Sequence, residues 1–349
     1  LKFFLNHDLI TSIKNPEYHD SRPPTSYILQ EILNPFAKSE IGYRRSVFFI
    51  SFLVPILFYF CLKQKFKKEE SLILLLISST IFLSPYFRAS AYWGLQENYG
   101  YIFLLLTFLS MSLYEKYNQL NFIGYFKLFL IAILSSLCVY FDQKLIIIPA
   151  ICFLQIIFSD KLLKAKIFVT LCYFVFSLPY IYLISIWESI IPSQATTGRQ
   201  LGETLYLDHI GYSLTMIAFY LLPLLFFKTE KIVLLFKNFF SNNKNYFLIS
   251  LCLLYLFYLI FFFDVNNEVI LGNGFIHKVS IIIFKGSYYG TLFTYFSFFI
   301  SWIIILVYLQ KNFKDYLILG YFLLLAIIIW PIFQEYFDPL IIIIAFTFF

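Results

Sequence analysis

Charge is scarce in this chain. Of its 349 residues, 13% are Asp, Glu, Lys or Arg and 60% are hydrophobic. Soluble globular domains carry about 25% charged residues, so a water-soluble fold is excluded. Cysteine is sparse too. Cys61, Cys138, Cys152, Cys172 and Cys252 each sit inside an apolar run without close pairing, which excludes a small disulfide framework and the usual zinc spacings. The short alternating segments of a membrane β-barrel are missing as well. Runs such as "LILLLISSTIFL" and "FLISLCLLYLFYLIFFF" are apolar on all sides, so the barrel is discarded. Ionisable residues are nearly absent from the middle of these runs, which argues against a proton- or ion-coupled transporter. An initiating methionine and a signal sequence are also lacking. The chain opens at Leu1 and closes within "IIIIAFTFF", which predicts a fragment cut at both ends.

What the chain has in abundance is apolar sequence of helical length. Its mean hydropathy is +0.79. A bilayer core about 30 Å thick needs roughly 20 apolar helical residues. Such stretches fall near 46–62, 72–86, 99–114, 127–141, 145–158, 167–187, 211–227, 246–263, 288–309, 316–331 and 339–349. The expected fold is therefore all-α: a polytopic transmembrane bundle of about eleven spans, forming one integral-membrane domain over residues 1–349.

Alternating the connections between two sides collects "KQKFKKEE", "EKYNQLNFIGYFK", "SDKLLKAK", "KTEKIVLLFKNFFSNNKN" and "QKNFKDY" on one face, with 15 basic and 6 acidic residues, a balance of +9. The other face has 11 basic and 14 acidic residues, a balance of −3. The positive-inside rule makes the first face cytoplasmic. The net charge of +6 is then a topology signal, and no nucleic-acid partner is implied.

Acids gather on the non-cytoplasmic face, in a first external loop over 1–45, after "SPYFRASAYWGLQ", and in long loops over 188–210 and 264–287. Basic residues are interspersed, which predicts a site at the membrane surface. In the first loop, Pro23 and Pro24 stiffen "HDSRPP". Thr25 or Ser26 is expected to cap a short interfacial helix that places Tyr27, Ile28, Ile32 and Leu33 on one face and ends near Pro35.

This order of features resembles the GT-C superfamily of membrane glycosyltransferases, in particular relatives of protein O-mannosyltransferases and lipid A aminoarabinose transferases. The resemblance rests on "DSRPPTSYILQEILNPFAKSEIGYRRSVFF", with Thr25 and Ser26 where that family has Leu and an aromatic residue. It extends to "LSPYFRASAYWGLQENYGYIF", to the hairpin "VYFDQKLIIIPA" and to "WPIFQEYFDPL", where Gln334 or Glu335 stands in place of a basic residue. The family's earliest acidic motif is expected upstream of Leu1.

The resemblance implies transfer of a sugar from a polyprenyl-phosphate donor to a glycan, lipid or protein acceptor, with inversion. The reaction would occur on the outer (periplasmic) face of a bacterial cytoplasmic membrane. Asp20 is the first candidate for the base or for positioning the acceptor, and Glu97 the second, since a carboxylate in reach of a hydroxyl can accept its proton. Arg22, Arg88, Lys144 and Arg199 are candidates for binding the phosphate, arginine being favoured for its planar fork. His19 is a further binding candidate and could help hold a divalent ion, but no four-ligand spacing accompanies it, and no other cofactor is implied. Two rival readings stay open: an O-antigen polymerase or ligase, and a flippase or transporter of lipid-linked sugars.

Overall fold

A computed structural model of the chain describes residues 6–15, 22–115, 121–159, 162–189, 200–201, 205–226, 229–262, 272–309 and 313–348. Among these residues the regular structure is helical, apart from one antiparallel pairing of β1 (Gln200–Leu201) with β2 (Ile329–Trp330). Two compact units separate, Leu1–Thr197 with Phe348 and Gly198–Thr347 with Phe349.

Five helical stretches among the described residues are long and apolar enough to cross a membrane: Glu40–Lys65, Phe122–Phe141, Leu163–Trp187, Asn245–Phe262 and Tyr288–Tyr308. A bent pair, Ser71–Leu83 with Pro85–Trp93, makes a sixth if it is one span. Leu163–Trp187 and Asn245–Phe262 are only 11% buried in their most apolar windows. Apolar helices exposed to that degree need a nonaqueous surround, so the chain has the character of a membrane protein. Of the other expected spans, those near 145–158, 211–227 and 316–331 are shorter apolar helices, that near 99–114 is the helix Glu97–Glu115, and that near 339–349 is the eight-residue helix Leu340–Thr347.

The first unit runs α1 (Leu9–Lys14), α2 (Thr25–Leu33), α3 (Glu40–Ser51), α4 (Leu53–Lys65), α5 (Ser71–Ser79), α6 (Pro85–Trp93), α7 (Glu97–Glu115), α8 (Phe122–Phe141), α9 (Ile147–Ile157) and α10 (Leu163–Trp187). Prolines punctuate it. Pro55 follows the break at Phe52, because its ring clashes with the carbonyl four residues back, that of Ser51. Pro85 is pre-set for the first position of α6, and Ser84 caps that helix by accepting from the Phe87 N–H at 3.0 Å. The helical path turns there by 66°. Gly94 then ends α6 at φ +72°, where the Tyr43 hydroxyl donates to its carbonyl at 2.8 Å. A Cβ at Gly94 would strain the backbone and meet the Tyr43 ring at 2.9 Å.

The expected interfacial helix is α2, ended by Asn34 and Pro35. Its cap differs from expectation: the N-cap is Pro24, and no side chain caps the helix. The expected single apolar face divides. Tyr27 and Ile28 pack against Ile13 and Leu183, while Ile32 and Leu33 are exposed. Polar contacts cause the division. Gln30 donates to the Tyr99 hydroxyl, and Asn34 donates to Gln30 and, at 2.7 Å, to Ser46, so the polar side faces inward.

The second unit comprises α11 (His209–Phe226), α12 (Thr229–Ser241), α13 (Asn243–Phe262), α14 (Gly274–Phe284), α15 (Tyr288–Tyr308), α16 (Phe313–Ile328) and α17 (Leu340–Thr347). Here α11 packs on α14, α15, α16 and α17. Gly211 permits the closest approach, since a Cβ there would lie 2.2 Å from the Phe298 ring. Two segments expected to be connections are helical. α12 lies within "KTEKIVLLFKNFFSNNKN" and buries Phe239 against Ile303, Leu306 and Val307. α14 occupies part of the expected loop 264–287 and buries His277 and Ser280.

Candidate active site

The polar centre of the first unit is assembled from four chain segments. On α6, Tyr86 and Ser90 are one turn apart and point to the same side. Past Gly94 the chain reverses, and Glu97 becomes the first residue of α7, where the helix dipole favours a carboxylate. Asn98 fixes this helix start by donating to the Ser51 hydroxyl at 2.9 Å and to the Phe87 carbonyl at 3.3 Å. Arg22, just before the proline pair, forms an ion pair with Glu97. The same carboxylate accepts from the Tyr86 hydroxyl at 2.6 Å and from the Ser90 hydroxyl at 3.5 Å.

The fourth segment is the turn after α8. Asp142 caps the 3-10 turn Gln143–Ile146, accepting from the Lys144 N–H at 3.2 Å, and pairs with the Lys144 ammonium at 3.1 Å. Lys144 Nζ also lies 4.8 Å from the Tyr86 ring centroid and 5.8 Å from that of Tyr101. Tyr86 thus joins the two ion pairs, its hydroxyl on Glu97 and its ring face on Lys144. The set is formally neutral, with two cations and two carboxylates.

Burial makes these charges interact strongly. Glu97 is 1% exposed, and the side chains of Lys144 and Asp142 are 8% and 9% exposed. Arg22, at 24%, is the most open of the four. Burial pushes the Asp142 carboxyl above its ordinary range, partly offset by Lys144. For Lys144, burial pulls the ammonium down, but Asp142, with help from Tyr86 and Glu97, outweighs it and holds Lys144 above the usual lysine value.

The turn is anchored to α10. Pro179 interrupts that helix, and the Tyr140 hydroxyl enters the gap, donating to the Phe176 carbonyl at 2.7 Å and accepting from the Tyr180 N–H at 3.0 Å. Gln143 donates to the Tyr180 hydroxyl at 2.6 Å. Lys144 is therefore held by both α8 and α10.

Three of the sequence candidates meet in this set: Arg22, Glu97 and Lys144. Arg88 does not join them. It is exposed on α6, and at 100° per residue it points away from the side shared by Tyr86 and Ser90. His19, Asp20 and Arg199 lie outside the described residues. Among the described residues no three His, Cys, Asp or Glu side chains group as a metal-ligand set. Sequence reasoning missed Asp142 and Tyr86. Signals for both were present: Asp142 stands two residues from Lys144 in "FDQK", and Tyr86 and Ser90 share helical spacing beside Pro85. No protein-family model matches the chain, and neither a curated protein nor a solved structure matches it.

Proposed function

We propose that this protein is a membrane glycosyltransferase that moves a sugar from a polyprenyl-phosphate donor to a glycan, lipid or protein acceptor at the outer face of a bacterial cytoplasmic membrane. One observation carries the reading: two cations, half-buried Arg22 and buried Lys144, set with two buried carboxylates around Tyr86. The proposed architecture is an eleven-pass bundle with α2 lying along the interface.

The chemistry follows from these residues. The donor's lipid tail partitions into the bilayer, bringing its phosphate to the membrane surface. An acceptor hydroxyl attacks the anomeric carbon and forms the new C–O bond. The old bond to the phosphate oxygen breaks, and the phosphate leaves with the electron pair. Arg22, the more open cation, is suited to meet the developing charge, with Lys144 behind it. At an effective dielectric of about 20, a cation about 4 Å away is worth roughly 4 kcal/mol before desolvation. Glu97, already engaged by Arg22, Tyr86 and Ser90, is suited to hold Arg22 in place. That leaves the hydroxyl proton to Asp20, two residues before Arg22 in the chain.

The test is transfer of labelled sugar from synthetic polyprenyl-phosphate sugars in membranes containing the protein. Asp20→Asn is expected to abolish transfer at normal expression, and Arg22→Gln to lower it by about a thousandfold, the equivalent of roughly 4 kcal/mol. Absence of transfer with every donor, accompanied by movement of lipid-linked sugar across the bilayer, would replace the enzyme reading with a flippase.

A further inference from the structure

The four ions around Tyr86 cancel, Arg22 and Lys144 against Glu97 and Asp142, and both carboxylates are buried. A phosphodiester drawn to Arg22 brings one more negative charge into surroundings that penalise any charge left uncompensated. Lys144 has none to add. It is already paired with Asp142 at 3.1 Å and held above the usual lysine value, so it is fully charged before the ligand arrives. Within the set, neutrality is restored only by a proton on one of the two carboxylates.

The hydrogen bonds decide which carboxylate can hold that proton. Asp142 meets a donor at each oxygen, the Lys144 N–H at 3.2 Å from Oδ1 and the Lys144 ammonium at 3.1 Å from Oδ2. Neither can accept from a carboxylic acid. Glu97 is placed differently. Its Oε1 takes Arg22 and, at 2.6 Å, the Tyr86 hydroxyl, while its Oε2 faces the Ser90 hydroxyl at 3.5 Å. A hydroxyl donates to a carboxylate and, after rotating, accepts from a carboxylic acid. A proton on Oε2 is therefore received by Ser90, and Oε1 continues to hold Arg22 and Tyr86.

The charged and titratable groups around Glu97 are Arg22 before α2, Tyr86 on α6, and Asp142 and Lys144 on the turn after α8, with Tyr101 of α7 beside Lys144. Phenols ordinarily titrate near pH 10, arginine and lysine at or above that, so near neutral pH the carboxylates are the groups free to change charge.

We propose that this site binds a lipid phosphodiester together with one proton from solvent, the phosphate going to Arg22 and the proton to Oε2 of Glu97. The inference rests on the glycosyltransferase reading of the site and deepens it, since the ligand becomes a neutral pair of diester and proton. Donor binding then strengthens as pH falls, by about tenfold per pH unit wherever uptake is complete.

The test uses the full chain in nanodiscs and the methyl ester of a short polyprenyl phosphate, a phosphodiester whose single charge is fixed near neutral pH. Calorimetric titration in buffers of different ionisation enthalpy counts the protons bound. Uptake of about one proton per ligand is expected, with a new carboxylic-acid carbonyl band in infrared difference spectra. Glu97→Gln keeps the shape and removes the charge. It is expected to bind the diester with no proton uptake, no new band and an affinity independent of pH. Zero uptake by the unaltered protein overturns the inference, as does uptake that persists unchanged in Glu97→Gln. Sugar transfer without proton uptake overturns it alone and leaves the glycosyltransferase reading standing, whereas failure of the diester to bind overturns both. If Glu97→Gln does not fold, the proton count and the infrared band of the unaltered protein decide the matter.

Discussion

In the unit that ends at Thr197, Glu97 is satisfied by Arg22 and Asp142 by Lys144, each side chain coming from a different segment or a tight turn. In the unit that begins at Gly198, several polar side chains turn to the backbone, although Gln334 also donates to the Tyr220 hydroxyl at 2.8 Å. His209 Nδ1 faces the carbonyls of Ala326 at 3.1 Å and Ile329 at 3.0 Å, which only accept, so that nitrogen carries the proton. Tyr255 donates to the Leu207 carbonyl, Trp302 to the Leu248 carbonyl, and Gln334 accepts from the Phe275 N–H. Backbone partners move only when the fold moves, so these contacts hold an architecture in place. A side-chain ion can exchange one partner for another, as a site that handles a charged ligand requires. The comparison therefore sets the candidate site, with its exchangeable ion pairs, in the first unit.

The strongest way to break this contrast is Lys144→Met. It leaves Asp142 a buried, uncompensated charge and is expected to cost about 3–5 kcal/mol in denaturant unfolding in mixed micelles. Adding Asp142→Asn should recover most of that loss; if the double variant is no more stable than the single one, the pair is not coupled as described. The same lysine sets a pH limb. Its folded-state value is raised, so its stabilisation is complete below the ordinary 10.5 and declines as pH climbs above it. Lys144→Met should flatten the alkaline side of a stability profile.

In the second unit the corresponding probe is packing. Gly211→Ala forces a methyl against the Phe298 ring, itself 1% exposed, and should cost about 1–3 kcal/mol without altering the pH profile. Tyr140→Phe is next. It removes a hydroxyl that serves two backbone groups of α10 and should lower stability by about 1–2 kcal/mol, seen as faster amide exchange at Tyr180. The smallest effect is expected from Arg88→Gln. With Arg88 pointing away from Tyr86, sugar transfer and stability should stay within about 0.5 kcal/mol of the unaltered protein. A transfer defect there would return Arg88 to the site.

Much of the fold can be read along the chain, because a span announces itself by local composition. The proline positions are equally local, and the end of α2 before Pro35 and the start of α6 at Pro85 follow from one residue's ring. α12 was readable in principle: Leu235, Phe236 and Phe239 recur at helical spacing inside a lysine-rich connection that was assigned by charge alone. α14 is harder to read, being an eleven-residue apolar stretch too short for a span and set among polar residues.

The site divides along the same line. Arg22, Glu97 and Lys144 stand out because charge is rare here. Their pairing does not, since an apolar span reads alike on every face and gives no sign of which side meets its neighbour. Arg88 and Arg22 are indistinguishable as letters, and only the rotation of α6 separates them. Tyr86, one of 28 tyrosines, is marked only by its spacing from Ser90 beside Pro85, which does not show that it bridges two ion pairs.

The Tyr140 hydroxyl in the gap at Pro179 bears on how the first unit can move. A proline in a long helix ordinarily leaves a compliant joint, because a rung of the ladder is missing and the neighbouring carbonyls are slack. Here the next rung, between the Phe176 carbonyl and the Tyr180 N–H, is bridged by a hydroxyl from another helix, so the stiffness of the joint is set by a residue outside the helix that bends. Opening it means withdrawing Tyr140, and Tyr140 is four residues from Lys144 on a turn further tied down by Gln143. Any flexing of α10 is thus geared to the position of the buried ammonium, and a push on either should be felt by the other.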